Sequence, residues 1–431
     1  MTQGERKAQL RNRLSAARDR TLWLFDQVPD EFLKRRVHSF YSPIGWHFGH
    51  IGRTEEYWVM SEALKRPVLD EHLSFLLADL PENPKDNRVT IPDRKAIVEY
   101  LSATRQRVFQ ALDAADLDSS NPLIAEGYGW EFALQHECQH QETIAEMMTL
   151  IHRAVGKQSS TGAFPDWTPG VSREWISVPG GSFRMGSDEP THYDNEKVAH
   201  EVRVEPFTVA KHPVTAYEWS EFVAAGGYQT PMLWSGEGWA WRCSEDARLP
   251  EYWVGTIGGY ATYSPSGLRP IHPDEPASCL SWYEAEAFAQ WRGSRLLTET
   301  EREYVAACEP GRPNPRRFPW GDESGSARAA NGMRSWDPCP VGQFPNSVSA
   351  FGVHDLAGGV WEWTSSPFLP YPGFEPFPYD GYSKDHMKGE HRVCRGGSWA
   401  TANPILRCTF RNWYVPSYRQ GFLGLRLAQR P

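Results

Sequence analysis

A histidine pair at helical spacing lies in the stretch of this chain that has the fewest helix breakers. His136 and His140 are four residues apart, and residues 130–151 contain neither Pro nor Gly. An uninterrupted helix is therefore expected here, with both imidazoles on one face, one turn apart. Neutral imidazoles at that spacing can chelate one divalent metal, so the pattern predicts a helix that carries part of a metal site.

A third imidazole could complete such a site from another part of the chain. His47 and His50 follow Ser42 and Pro43, which favour a helix start because Ser can cap and Pro fits the first turn. Three histidines without a carboxylate suit zinc, copper or non-haem iron. The pair also fits the pattern H-E-x-x-H, in which Glu137 would be a general base. A zinc hydrolase is therefore the alternative interpretation.

Composition excludes several other classes of protein. The chain has 431 residues, enough for two or three domains, and a formal net charge of -9. It has no basic patch, so nucleic-acid binding is not expected. It has no apolar run of about 18 residues and no secretory signal, so no membrane span or export is expected. Its seven cysteines are scattered without C-x-x-C spacing, which predicts reduced thiols and a cytoplasmic protein.

The first region, residues 1–155, has the apolar spacing of helices. One helix is predicted near the start, a second from Ser42, a third over 93–113, and a fourth that carries the histidine pair. Four helices joined by loops predict a four-helix bundle, in which metal ligands commonly project inward from facing helices. His50 would then meet His136 and His140 inside the bundle.

The second region has a different pattern. Residues 156–170 are rich in Gly, Ser, Thr and Pro and are expected to be a linker, and residues 171–431 alternate aromatic residues with glycine-punctuated turns. Helices are predicted over 215–225, 281–291 and 298–307, the last opened by a capping box from Thr298 to Glu301. Short strands and long ordered loops should form the rest, so the chain as a whole is expected to be α+β.

A series of motifs in this second region follows a known order. The motifs are V-P-G-G-S-F-R-M-G from Val178, S-W-Y-E-A from Ser281, R-L-L-T-E-T-E from Arg295, P-W-G-D from Pro319, G-V-W-E-W-T from Gly359, R-G-G-S from Arg395 and G-L-R from Gly424. Residues 171–431 thereby resemble the formylglycine-generating-enzyme-like (sulfatase-modifying factor) domain, a C-type-lectin-like fold. Its enzymes place a cysteine pair after R-G-G-S. The corresponding positions here hold Thr401 and Leu406, so a copper–thiolate site is not expected.

The first region resembles the DinB-like helical bundle, whose metal triad would be His50, His136 and His140. A DinB-like bundle ahead of this lectin-like domain resembles the ergothioneine sulfoxide synthase family, which includes a selenoneine synthase branch. The resemblance implies an oxidoreductase with non-haem iron(II) as cofactor. Its small-molecule substrates would be O2, hercynine and a sulfur or selenium donor, joined at the imidazole C2 of hercynine.

The resemblance also assigns roles within the bundle. The family's first ligand ends a W-x-x-x-H pattern, which runs here from Trp46 to His50. His47 is then expected to pack locally or to hydrogen-bond to a ligand. Gln139 matches a glutamine that contacts the hercynine carboxylate, although a surface glutamine is the alternative.

In the lectin-like domain, the family's substrate-binding loop matches Asn412, Trp413 and Tyr414. The asparagine would contact hercynine. The two aromatic rings could hold its trimethylammonium group by cation–π attraction.

The family also uses a tyrosine near the iron as a proton or electron donor. Tyr379 and Tyr382 are the best matches, with Tyr371 in reserve. Each could instead be a buried structural tyrosine.

One departure from the family pattern indicates which sulfur or selenium donor to expect. The branch that uses γ-glutamylcysteine has an acidic residue after the Asn-Trp pair and an arginine four residues later, where this chain has Tyr414 and Tyr418. The donor is therefore expected to be a selenosugar or cysteine rather than γ-glutamylcysteine. Beside the zinc hydrolase or thiol transferase, a binding module without catalysis is a further alternative, because lectin-like folds often only bind.

Overall fold

The structure is a computed structural model that describes residues 2–158, 166–312, 314–323, 328–333 and 335–430. It divides into two compact units. The first contains Met1–Val155 with Glu189–Thr191, and the second contains Gly156–Asp188 and His192–Pro431. Part of the predicted linker 156–170, residues 159–165, lies outside the described residues. None of the helices described is long and apolar enough to cross a membrane.

The first unit is helical. Its α-helices are α1 Gln3–Gln27, α2 Asp30–Leu33, α3 Ile44–Glu55, α4 Glu71–Leu76, α5 Arg94–Ala114 and α6 Tyr128–Val155. A π-helix, Glu56–Ala63, continues α3, and short 3₁₀ helices span Asn87–Thr90 and Ala125–Gly127. The four long helices pack together: α3 contacts α5 and α6, and α1 contacts the same two. The predicted four-helix bundle is confirmed.

The starts of α1 and α5 follow simple capping rules, whereas the start of α3 does not. The Thr2 hydroxyl caps α1 in a capping box, and the Asp93 carboxylate caps α5 by accepting from the backbone N–H of Ala96 at 2.9 Å. The prediction that Ser42 caps the next helix is wrong. Pro43 precedes α3 without a side-chain cap, and the Ser42 hydroxyl instead accepts from Arg88 Nη1 at 2.9 Å.

Helix α3 is approached closely by its neighbours because it carries glycine at three positions. An added Cβ would lie 2.7 Å from the Leu33 carbonyl oxygen at Gly45 and 2.8 Å from Leu101 Cδ2 at Gly52. Contacts that short force a neighbour to move, so the absence of side chains here permits the close packing around the histidine-bearing helix.

The second unit is built from short elements around small sheets. Its strands are β1 Trp175–Val178, β2 Gly181–Met185, β3 His200–Val204, β4 Phe207–Ala210, β5 Trp253–Thr256, β6 Gly259–Ser264, β7 Gly267–Pro270, β8 Arg295–Leu296, β9 Trp361–Pro367, β10 Arg392–Arg395, β11 Asn412–Tyr414, β12 Leu423–Leu425 and β13 Leu427–Gln429. Its α-helices are α7 Ala216–Ala224, α8 Gly236–Ser244, α9 Trp282–Trp291, α10 Glu299–Ala307 and α11 Asp380–Ser383.

The strands pair in four groups among the described residues. The orders are β1-β4-β13-β8, β11-β10-β9-β12, β2-β3 and β5-β6-β7. All pairs are antiparallel except β9 with β12. The short strands and long connections, together with the preceding bundle, confirm the α+β class.

The three helices predicted for this unit are present as α7, α9 and α10. Each begins after a capping box, opened by Thr215, Ser281 and Thr298 respectively. Helix α8 was not predicted, because its sequence begins with two glycines, at 236 and 238, that favour a turn. The Ser235 hydroxyl nevertheless caps it by accepting from the Gly238 N–H at 3.3 Å.

Buried arginine–glutamate pairs explain several of the motifs in the second unit. Arg411 binds Glu299 through two hydrogen bonds, of 2.7 and 3.0 Å. Arg302 and Arg426 share the Glu362 carboxylate, at 2.5 Å and 2.8 Å. These charges come from distant parts of the chain and are fully desolvated, so each carboxylate fixes where its motif lies.

Candidate functional site

The bundle brings three histidines of the sequence together. His50 on α3 and His136 and His140 on α6 each present a ring nitrogen, and these three nitrogens lie within 4.8 Å of one another. In the part of the chain that the structure describes, no other group of three His, Cys, Asp or Glu side chains meets this criterion. His50 is buried, whereas His136 and His140 are partly exposed.

The three rings form a tight cluster. The ring centroid of His50 lies 5.0 Å from that of His136 and 5.0 Å from that of His140. The His136 and His140 centroids are 4.4 Å apart. Burial, together with the neighbouring histidines, holds the pKa of His50 and His136 well below the usual value. Burial likewise lowers the pKa of His140 to about 4. All three imidazoles are therefore neutral near neutral pH, as metal ligands must be.

The donor set fits a divalent transition metal. The His50 Nδ1 lies 2.6 Å from the Leu77 carbonyl oxygen, which leaves Nε2 for a metal. The His136 Nδ1 is buried and has no hydrogen-bond partner among the described residues. Three imidazoles without a carboxylate suit non-haem iron, copper or zinc.

His47 lies beside the triad. Its Nδ1 is 3.0 Å from His140 Nδ1, so one of the two rings donates to the other. Burial, together with the neighbouring His140, holds the pKa of His47 well below its usual value. This contact places His47 in the position of an outer partner of His140, and the three-nitrogen group forms without it.

Glu137, the residue after the first histidine of the pair, is part of a buried ion network. Its carboxylate accepts from Arg18 Nε at 2.9 Å, from Thr21 Oγ1 at 2.7 Å and from Arg105 Nη2 at 2.6 Å. Burial alone raises the pKa of Glu137, but the two arginines outweigh it and lower the pKa to about 2. These contacts occupy the carboxylate that the H-E-x-x-H interpretation needs as a general base. Glu55 on α3 completes the network by pairing with both arginines.

Gln139 is partly exposed on α6, between the two histidines of the pair. Its backbone carbonyl accepts from the Thr143 hydroxyl at 3.3 Å. Its role as a substrate contact stays a prediction.

The residues of the predicted substrate loop form β11, an edge strand that pairs with β10. The side-chain oxygen of Asn412 accepts from the Trp413 N–H at 2.9 Å, and its Nδ2 lies 3.4 Å from the Tyr414 hydroxyl. All three side chains are partly exposed. They are therefore accessible on the second unit.

Trp413 belongs to an aromatic cluster that the sequence did not indicate. Its ring stacks on Phe368 at 4.2 Å and 6°, and Tyr382 meets it edge-on at 5.9 Å and 86°. The His386 ring lies 5.7 Å away. Neither Phe368 nor His386 belongs to a motif, and both are distant from Trp413 in sequence, so no local signal could have identified them.

The three candidate tyrosines differ in environment. Tyr379 is 43% exposed, and its ring centroid is 6.4 Å from that of Tyr382. Tyr382 also packs on Tyr193 at 4.5 Å. Tyr371 is buried beneath the Arg411 guanidinium, 4.0 Å from its ring, and donates to Glu299 at 3.3 Å. Tyr371, the reserve candidate, is thus a core residue packed against the Arg411–Glu299 ion pair of the second unit.

Comparisons with known proteins agree with the two-unit architecture. The family model of the DinB superfamily matches residues 13–144, and that of the sulfatase-modifying factor enzyme 1-like domain matches residues 165–431. A hercynine oxygenase of Mycolicibacterium thermoresistibile is 39% identical, over 98% of this chain and 95% of its own length. That of Mycolicibacterium smegmatis is 38% identical, over 97% and 98% respectively. Among solved structures, PvdO from Pseudomonas aeruginosa is 26% identical over 64% of this chain and 100% of its own, with a TM-score of 0.41.

A DinB-like bundle followed by a formylglycine-generating-enzyme-like domain defines this chain as an oxidoreductase of composite architecture. The chain belongs to the hercynine oxygenase family, the ergothioneine sulfoxide synthase-like proteins, because the similarity to its members extends over nearly the whole sequence.

The ion network behind α6 yields a prediction about stability. Glu137→Gln removes one of the two carboxylates that balance Arg18 and Arg105, and breaking a buried pair costs about 3–5 kcal/mol. Urea unfolding followed by helical circular dichroism measures this loss. The matched control is Glu62→Gln, whose partner Lys65 is 75% exposed and whose loss should cost no more than about 0.5 kcal/mol. Equal costs for the two variants would show that the network contributes nothing special.

Proposed function

We propose that this chain catalyses an O2-dependent coupling of a sulfur or selenium donor to the imidazole C2 of hercynine, at an iron(II) centre held by His50, His136 and His140. The supporting observation is the three-histidine group inside the bundle, in a chain whose relatives of similar length are hercynine oxygenases. In the balanced reaction, one C–H bond and one S–H or Se–H bond are broken, and one C–S or C–Se bond is formed. One oxygen atom of O2 forms the S–O or Se–O bond, and the other leaves as water with the two hydrogens.

The division of labour follows from the donor set. Three imidazoles leave coordination positions open on a six-coordinate ion, so bound iron(II) would supply O2 activation and a site for a thiolate or selenolate. The protein residues bind, orient and move protons. Gln139 is proposed to contact the carboxylate of hercynine. Tyr379 or Tyr382 is proposed to supply a proton from its Oη.

The trimethylammonium group of hercynine needs an uncharged aromatic surface. A permanent cation without N–H groups cannot be held by hydrogen bonds, and an aromatic ring attracts it through the quadrupole. Trp413 supports this role, because one of its faces stacks on Phe368 and its ring is thereby fixed in orientation. Asn412 and Tyr414 are the other proposed contacts.

The donor is proposed to be a selenosugar or free cysteine. Tyr414 and Tyr418 stack on each other at 4.2 Å and 13°, at the positions where the γ-glutamylcysteine branch carries opposite charges. An arginine lies beside this pair: Arg392 is the register partner of Tyr414, and its guanidinium lies 4.5 Å from the Trp282 ring. Among the described residues, the Arg392 Nε has no hydrogen-bond partner. It could pair with the carboxylate of cysteine, whereas a sugar needs no such partner.

The metal assignment is tested by iron content. His50→Ala should lose most of the bound iron and all coupling activity, because two imidazoles remain. His47→Ala, the matched control three residues away, should retain clearly more iron than His50→Ala, because loss of an outer partner lowers the affinity about ten- to a hundredfold whereas loss of a ligand removes a coordinating nitrogen. Iron is measured by elemental analysis after anaerobic reconstitution. Wild-type iron content in His50→Ala would contradict the assignment and point to His47. Zinc retention without O2 consumption would favour the hydrolase.

The hercynine contact is tested by kinetics. Trp413→Ala should raise the hercynine KM by about two- to thirtyfold, since a cation–π contact contributes roughly 0.5–2 kcal/mol, and should change the donor KM less. Trp320→Ala is the matched control, because Trp320 also stacks on a phenylalanine, Phe318, at 5.3 Å. Unchanged hercynine KM in the Trp413 variant would remove Trp413 from the pocket.

The donor is tested by competition. With hercynine, iron(II) and O2, a selenosugar, cysteine and γ-glutamylcysteine are supplied together and the products are measured by mass spectrometry. The wild type should use γ-glutamylcysteine least, by about five- to a hundredfold, because unpaired buried polar groups cost about 1–3 kcal/mol. Preference for γ-glutamylcysteine would refute the donor assignment.

A second variant separates the two preferred donors. Arg392→Gln should raise the KM for cysteine and leave that for a selenosugar unchanged. Equal effects on both donors would remove Arg392 from the donor site.

A further inference from the structure

The His50 ring is held from outside by the backbone at Leu77. The Leu77 carbonyl oxygen lies 2.6 Å from His50 Nδ1. A carbonyl can only accept, so this contact places the ring proton on Nδ1 and leaves the Nε2 lone pair, which lies 3.4 Å from the Thr54 hydroxyl, available to a metal. Outer partners of this kind commonly set the orientation and tautomer of histidine ligands. The position of the ring therefore depends on what holds the carbonyl in place.

The turn around Leu77 is fastened by one buried side chain, Asn83, which is 1% exposed. Its Nδ2 lies within hydrogen-bonding distance of three backbone carbonyls, those of Phe75 at 3.2 Å, Leu76 at 2.9 Å and Ala78 at 3.0 Å, so its two N–H groups are shared among them. These are carbonyls on both sides of Leu77, whose own carbonyl is left to His50. Asn83 thus fixes the backbone from which the ring contact is made.

The same turn is also held from the helix that bears the histidine. Trp46 Nε1 donates to the Leu76 carbonyl at 3.0 Å, and the Trp46 ring stacks on His50 at 4.2 Å and 15°. On the other side of Trp46, the Arg88 guanidinium lies 4.4 Å from its ring, and Arg88 Nε donates to the Asn83 carbonyl at 2.9 Å. Arg88, Trp46 and His50 therefore form a layered stack beside the turn.

A glycine in α3 makes the approach possible. A Cβ on Gly49, the residue before His50, would lie 2.4 Å from Leu77 Cδ2. Leu77 is fully buried at this position. With any larger residue at position 49, the Leu77 side chain would have to move.

We propose that Asn83 is a positioning residue for the metal centre. By fixing the turn at Leu77, it holds His50 as the Nδ1–H tautomer with Nε2 free to bind the metal. Trp46 assists through its hydrogen bond to the same turn. The inference rests on the proposed function only in taking His50 as a ligand.

The test compares two asparagines of the bundle. Asn83→Ala should weaken Co(II) binding about ten- to a hundredfold, measured by competition with a chelator. The matched control is Asn121→Ala, because Asn121 also fastens a turn, donating to the Ala63 carbonyl at 3.1 Å and accepting from the Leu123 N–H at 3.0 Å. The Co(II) affinity of Asn121→Ala should stay near that of the wild type, even if its melting temperature falls as much as that of Asn83→Ala.

A second readout needs neither metal nor substrate. Nitrogen NMR of metal-free protein with ¹⁵N-labelled histidine rings should show His50 as a single Nδ1–H tautomer in the wild type, and as a tautomer mixture in Asn83→Ala. Should that variant fail to fold, Trp46→Phe keeps the ring stack, removes the Nε1–H donor and should give a smaller shift in the same direction.

The proposal is overturned if Asn83→Ala keeps both the wild-type Co(II) affinity and the single tautomer, or if Asn121→Ala loses Co(II) affinity equally. Failure of the proposed function would be seen differently, as absence of hercynine coupling in a wild-type protein whose His50 still has the fixed tautomer.

Discussion

The bundle depends on a buried network of ion pairs that joins its four long helices. Arg18 on α1 and Arg105 on α5 both pair with Glu55 on α3 and Glu137 on α6. All four side chains are almost fully buried, so each helix contributes a charge that no other arrangement could compensate. Because α3 and α6 also carry the three histidines, the network fixes the rotation of both helices and with it the direction in which the imidazoles point.

The second unit uses the same chemistry to fix loops rather than helices. Glu299 binds both Arg395 and Arg411, and Glu362 binds both Arg302 and Arg426. A chain of short strands and long connections has few ladder hydrogen bonds to specify its path, and buried guanidinium–carboxylate pairs supply geometric specificity instead. The strand that carries Asn412 and Trp413 follows directly after one of these arginines, so its position is set by the network.

The sequence could predict whatever depends on local rules. Helix-like runs located α7 and α9, and a capping box from Thr298 to Glu301 located α10. The spacing of His136 and His140 on a helix without breakers predicted a paired metal ligand. What could not be predicted depends on contacts between distant residues. The local sequence favours Ser42 as a helix cap, but its hydroxyl is hydrogen-bonded by the distant Arg88 instead. Likewise, no residue near Trp413 in sequence indicates that its ring stacks on Phe368. Local sequence patterns also could not predict the contacts of His50 with Leu77 and of His140 with His47, although they identified His47 as a residue near the site.

The distribution of charge separates structure from chemistry. Permanent charges are paired within the two buried networks, whereas the candidate metal ligands and hercynine contacts are neutral imidazoles, amides and aromatic rings, and Arg392 is the charged residue proposed for the donor. A carboxylate beside the triad would attract a cationic substrate, but it would also compete for the metal and, when unpaired, would be costly to bury. An aromatic face attracts a trimethylammonium group without offering a ligand to the metal. The three-nitrogen group contains no acidic residue, so it would leave coordination positions free of a competing carboxylate when a metal is bound.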